Sequence, residues 1–219
     1  MKIARAAHWG LIARELVSHA PFTALGALTG IIILVVVVSS NVSSGTSETV
    51  FYILHPIHVL LSALVTTAIY KLHGKGKLWV AILIGYTGSI GIATLSDAVI
   101  PYLEGVLFHI EREPFWPPPF IAKWWLVNPL ALLGIAIGYW KPTTRFPHAG
   151  HVLLSTWASL FYFTAFMATD WIPLLPLIFL FLFLAVLIPC CVSDIVYPLL
   201  FIREHSGHSH NKGESSEKG

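Results

Sequence analysis

Residues 55–62 read His-Pro-Ile-His-Val-Leu-Leu-Ser, and residues 148–155 read His-Ala-Gly-His-Val-Leu-Leu-Ser. Two further segments recur in the same order along the chain. Pro21-x-x-x-Leu-Gly-x-x-x-Gly30 recurs as Pro129-x-x-x-Leu-Gly-x-x-x-Gly138, and Ser96-Asp97-x-Val-x-Pro recurs as Ser193-Asp194-x-Val-x-Pro. Three matches in one order predict an internal duplication.

The composition places this duplication in a membrane. Of the 219 residues, 56% are hydrophobic and 11% are charged, whereas soluble domains carry about 25% charged residues. Lys and Arg number 13 against 11 Asp and Glu, so no basic excess indicates a nucleic-acid partner. Cys190 and Cys191 are adjacent, which excludes a fold built on disulfides. The sequence therefore predicts an integral membrane protein surrounded by lipid.

Six apolar stretches reach or approach the length of about 20 residues that a hydrocarbon core requires. They are 20–40, 50–70, 78–101, 124–140, 149–169 and 172–201. The sequence therefore predicts an all-α bundle of six transmembrane helices. The expected organisation is an amphipathic interfacial helix at 1–18, a first three-helix repeat at 19–103, an outer Pro-rich loop at 104–123, a second three-helix repeat at 124–202 and a disordered tail at 203–219.

The basic residues predict the orientation of the bundle. Eleven of the 13 Lys and Arg residues lie in the N-terminal segment, in the loops after the second and fourth stretches, and in the tail. The positive-inside bias then predicts a cell (plasma or inner) membrane protein with both termini in the cytoplasm. Because each repeat has an odd number of spans, the second copy is expected to lie upside down relative to the first. This is the inverted-repeat architecture of secondary transporters.

Polar residues form a stripe on the second stretch and again on the fifth. Side chains three, four and seven residues apart share one helix face, and polar groups inside a membrane helix face protein or water. With one acidic residue from the end of each repeat, the topology predicts two similar clusters, one per membrane face. The outer cluster comprises His55, His58 and Asp97, and the inner cluster comprises His148, His151 and Asp194.

Two imidazoles and a carboxylate are a ligand set suited to Zn²⁺, Fe²⁺, Ni²⁺ or Co²⁺. Neighbouring polar residues are candidates for further ligands: His19, Cys190, Ser62, Ser155, Ser96, Ser193 and Asn128. Glycines that recur in the first and fourth stretches, Gly26, Gly30, Gly134 and Gly138, are expected to allow close helix packing. The tail holds His205, His208 and His210, a composition that favours metal capture and equally a solubilising tail.

The leading hypothesis is a transporter of a divalent transition-metal ion that works by alternating access and is not an enzyme. Three alternatives stay open. They are a membrane redox protein with haem on axial histidines, a proton-coupled carrier of a small organic or anionic solute, and a membrane metallohydrolase that uses one cluster. A homodimer also stays open, although no span shows an interface.

Overall fold

The computed structural model describes residues 2–73, 77–114, 116–143, 145–168, 170–191 and 197–200. Over these residues the chain is mostly helical. Its α-helices are α1 (Lys2–Ser39), α2 (Ser44–His73), α3 (Leu78–Thr94), α4 (Ile100–Leu107), α5 (Pro119–Ala122), α6 (Trp124–Trp140), α7 (Arg145–Phe166), α8 (Leu175–Cys191) and α9 (Tyr197–Leu200). A π-helical turn (Leu95–Val99) joins α3 to α4, and a 3₁₀ turn (Ile172–Leu174) leads into α8. Two short strands, β1 (Glu111–Arg112) and β2 (Met167–Ala168), pair antiparallel.

Several helices have the length and apolar character of membrane-spanning segments. Within the described part of the chain there are four: Ala20–Ser39, Ser44–Leu72, Leu78–Leu107 and Ile172–Cys190. The apolar helix α6 has 17 residues, which is short for a span, and α7 is not among the four. The chain therefore has the helices of a membrane protein, while six spans stay a prediction.

The N-terminal helix is continuous across the boundary that the sequence predicts. The backbone of α1 runs unbroken from Lys2 to Ser39, so residues 2–18 extend the first apolar stretch. The expectation that this extension lies on the membrane surface stays a prediction.

The third apolar helix is longer than the sequence predicts. It continues past Pro101 to Leu107, so Glu104 lies inside this helix and not in an outer loop. Glu104 is buried. The expected start of the loop at 104 is therefore wrong by about one helical turn.

The glycines of α1 and α6 lie where these helices contact α7 and α2. A Cβ atom at Gly134 would clash with the carbonyl oxygen of Leu60, and one at Gly138 would clash with that of Leu64. At Gly26 a Cβ atom would lie 2.9 Å from Oγ1 of Thr156. An added Cβ atom at Gly30 would make an ordinary contact of 3.6 Å. The expected packing role of the four glycines stays a prediction.

Among the described residues, most buried polar side chains lie on α2, α7 and the π turn. The largest buried apolar cluster draws on α1, α2, α7 and α8, with Phe51, Leu160, Phe163 and Leu182 among its members. α2 also packs against α3 and α6, and α7 also packs against α1 and α8. The polar site described next lies between α2 and α7.

Candidate metal centre

The site joins polar side chains from three elements. α2 supplies His55 and His58, the π turn supplies Asp97, and α7 supplies His151 and Ser155. All five side chains are buried, with at most 1% of the surface of each residue exposed. Ionisable groups in such a place are expensive and are typical of functional sites in membrane proteins.

Asp97 is the centre of the hydrogen-bond network. Its Oδ2 lies 2.9 Å from Nδ1 of His55 and 2.7 Å from Nδ1 of His58. Its Oδ1 accepts hydrogen bonds from the hydroxyls of Ser96, at 2.7 Å, and Ser155, at 2.8 Å. Because a carboxylate only accepts hydrogen bonds, this network assigns the ring proton of each of the two histidines to Nδ1.

The π turn presents Asp97 to this network and leaves a carbonyl group to be satisfied. In this turn the N–H of Ile100 donates to the carbonyl of Leu95, five residues earlier. The next bond of that pattern would reach the carbonyl of Ser96 from residue 101, but Pro101 has no N–H. The Ser159 hydroxyl of α7 donates to the Ser96 carbonyl instead, at 3.0 Å. α7 therefore supports both the backbone and the side chain of this turn.

His151 extends the site towards the second half of the chain. Its ring stacks on that of His58, with the centroids 5.7 Å apart and the planes 4° from parallel. The predicted separation of the two histidine pairs onto opposite faces is therefore wrong for His151, and Ser155 also reaches Asp97. The physical reason is the direct packing of α2 along α7, which brings equivalent residues of the two repeats side by side.

Several residues of the predicted ligand sets lie elsewhere or outside the description. Asn128 accepts a hydrogen bond from Tyr86, at 3.1 Å, and Cys190 packs with Val152 and Val186. Ser62 is buried in α2, and no hydrogen bond joins its hydroxyl to Asp97 within the described part of the chain. The side chains of His19 and His148, and residues Ser193, Asp194, His205, His208 and His210, lie outside the described residues.

An aromatic residue that packs against the site was not predicted from the sequence. Phe51, one turn before His55 on α2, is fully buried and stacks on the His55 ring with centroids 5.4 Å apart. An aromatic residue four positions before a histidine on a predicted helix would have been the signal, since such side chains are neighbours.

The arrangement can hold a small cation. His55, His58 and Asp97 each offer a ligand atom, and these atoms lie within 4.8 Å of one another. Imidazole nitrogen and carboxylate oxygen together favour divalent transition metals.

Comparison with known proteins finds no matching family model, no matching curated protein and no matching solved structure. The chemistry of this site is therefore the basis for inferring a function.

Proposed function

We propose that the chain is a membrane transporter of a divalent transition-metal ion. One observation carries the proposal: His55, His58 and Asp97 form a compact, buried ligand cluster, and they lie on two helices, Ser44–Leu72 and Leu78–Leu107, that are long and apolar enough to cross a membrane. Ionisable side chains buried inside a membrane protein are costly to keep, and they mark ion or proton pathways by default.

We further propose that the chain works as two inverted three-helix repeats with both termini cytoplasmic, in the plasma or inner membrane. Matched contacts support this architecture. Gly134 of α6 lies against Leu60 of α2, and Gly26 of α1 lies against Leu153 of α7. Leu60 and Leu153 are the same position of the repeated His-Val-Leu-Leu-Ser segment. Each repeat thus packs its first helix against the second helix of the other.

The cluster lies where transporters with inverted repeats bind their cargo, at the interface of the two halves. Asp97 comes from the first half and accepts a hydrogen bond from Ser155 of the second half. His58, near the middle of α2, stacks on its repeat equivalent His151. A rocking motion between the halves would separate these pairs and expose the ion to one side at a time.

The alternatives fit these contacts less well. Two histidines that ligate one haem must approach its iron from opposite faces, whereas His55 and His58 belong to one helix and bind one carboxylate oxygen. A metallohydrolase needs an open coordination position that water and substrate reach, whereas these three side chains are buried. A proton-coupled carrier of an organic or anionic solute would use the same histidines for protons and is separated from the proposal by experiment.

The test measures metal content and metal flux with one protein. The full chain, with His205, His208 and His210 replaced by Asn to remove metal capture by the tail, is purified in detergent and reconstituted into vesicles that contain a Zn²⁺-sensitive dye. We expect bound metal after incubation with Zn²⁺, and Zn²⁺ flux into the vesicles. Both should be lost in His58→Ala.

A matched control uses a histidine outside the site. His109 is exposed and has a φ of 53°, a conformation that Asn tolerates, so His109→Asn should retain binding and flux. Iron with a Soret band would favour the haem alternative. If neither bound metal nor Zn²⁺ flux is found, the metal-transporter proposal is refuted, and the carrier of an organic or anionic solute is favoured.

A further inference from the structure

The carboxylate of Asp97 has no lone pair left for a metal ion in this arrangement. A carboxylate offers about four acceptor sites. Oδ2 uses two of them for the Nδ1 atoms of His55 and His58, and Oδ1 uses two for the hydroxyls of Ser96 and Ser155. A metal bound directly to Asp97 would have to displace at least one of these four donors.

The same hydrogen bonds leave a different atom of each histidine ready for a metal. A neutral imidazole that donates from Nδ1 carries its lone pair on Nε2. Nε2 of His55 is fully buried, and no hydrogen-bond partner for it exists among the residues that the structure describes. A buried acceptor without a partner is an exception that needs an explanation, and a bound cation provides one.

We propose that Asp97 is a positioning residue for His55 and His58, and that the transported ion binds to imidazole nitrogen with Nε2 of His55 as its first ligand. This inference rests on the proposed function. Carboxylates that accept the second ring N–H of a histidine ligand orient the ring and raise its basicity. Here one carboxylate does so for two histidines at once, and Ser96 and Ser155 hold the carboxylate in place.

The proposal narrows the class of cargo. Neutral imidazole ligands suit Zn²⁺, Fe²⁺, Ni²⁺ and Cu²⁺, whereas Mg²⁺, Ca²⁺ and Mn²⁺ prefer carboxylate, carbonyl and water oxygens. His151, stacked on His58, is the neighbouring residue from the second half that supplies a third imidazole. A site of nitrogen ligands should therefore bind Zn²⁺ in the presence of a large excess of Mg²⁺ or Ca²⁺.

The test identifies the ligands with Cu²⁺ as the probe. The full chain with the three tail histidines replaced by Asn is produced with aspartate that carries ¹³C at the side-chain carboxyl group, and one equivalent of Cu²⁺ is added. We expect pulsed electron paramagnetic resonance to show imidazole nitrogens and no strong ¹³C coupling. Asp97→Asn should still bind one Cu²⁺ through imidazole, with affinity lowered about 10- to 100-fold. Its remote-nitrogen quadrupole coupling should be shifted, because the hydrogen bond to that nitrogen has changed.

A matched control and three outcomes complete the design. Glu104→Gln changes another buried carboxyl group of the same helix and should leave affinity and spectrum unchanged. A strong ¹³C coupling in the parent protein, absent in Asp97→Asn, would overturn the inference and leave the transporter proposal standing. If the parent protein binds no Cu²⁺, Zn²⁺ or Co²⁺, both the inference about the ligand atoms and the transporter proposal are overturned. If Asp97→Asn does not fold, the ¹³C measurement on the parent protein decides alone.

Discussion

Alanine at Gly134 tests the close packing of α6 against α2. The added Cβ atom would clash with the carbonyl oxygen of Leu60 and lie 3.0 Å from the Cβ atom of Ala63. Leu60 lies in the interior of α2, so its carbonyl group is fixed by the helix and cannot rotate away as a side chain would. α6 must therefore move away from α2 to accept the methyl group.

The expected loss of stability follows from a comparison with Gly91, a glycine inside α3 with no atom within 4 Å of an added Cβ. Alanine is favoured over glycine in a helix by about 1 kcal/mol, and this gain applies to both positions. Overpacking by one methyl group costs about 1–3 kcal/mol and applies only at Gly134. We therefore expect Gly134→Ala to be less stable than Gly91→Ala by about 1–3 kcal/mol.

The assay is reversible unfolding in mixed detergent micelles, with SDS as the denaturant and circular dichroism as the signal. Gly91→Ala should unfold at or above the SDS concentration of the wild type, and Gly134→Ala below it. Gly26→Ala should fall between them, because its Cβ atom would meet the side chain of Thr156 and not a backbone atom. Equal midpoints for Gly134→Ala and Gly91→Ala would refute the contact between α6 and the backbone of α2.

Three further outcomes are expected. His151→Ala should abolish Zn²⁺ flux into vesicles while circular dichroism shows an unchanged helix content; wild-type flux in this variant would exclude a role for the second half in the site. Ser155→Ala removes one donor from Asp97 and should lower the free energy of unfolding by about 1.5–3 kcal/mol in the SDS titration. Ser89→Ala, whose hydroxyl donates to the Tyr86 carbonyl of its own helix, should have a smaller effect. Deleting residues 204–219 should leave the flux per protein molecule unchanged, and a loss would place the tail in the transport step.

The polar residues of the site were predictable because helical spacing is a local rule. His55 and His58 are three residues apart on one helix, and any helix places them on one face. Asp97 was predictable as an intramembrane carboxylate. These inferences need only the position of each residue along its own helix.

The level at which α2 and α7 meet was not predictable in this way. Whether His151 contacts His58 depends on how far one helix is shifted along the other, and the spacing within a helix carries no information on that shift. The repeat makes the two histidines equivalent, but an inverted topology predicts that they lie on opposite faces of the membrane. Direct contact between α2 and α7 decides the outcome.

The end of the third apolar helix was mispredicted for a related reason. The predicted apolar stretch ends at Pro101, with Glu104 in a loop, and proline usually ends or kinks a helix at the residue before it. The structure continues to Leu107 because the π turn before Pro101 and the hydroxyl of Ser159 satisfy the backbone there. No local pattern in the sequence indicates a π turn.

The π turn also sets how the helix is rotated between two of its contacts, one made by Asp97 and the other by Gly105. Within the turn, Asp97 meets α2 and α7. Downstream of the turn, Gly105 meets Met167 of β2, whose sulfur would lie 3.0 Å from an added Cβ atom. Deleting one residue from Leu95–Val99 would restore an ordinary helix and turn everything after it by about 100° around the helix axis. Such a deletion would keep the helix and lose one of the two partners. The five-residue turn therefore sets the rotation of α4 relative to α3. In related sequences its length should vary less than its side chains.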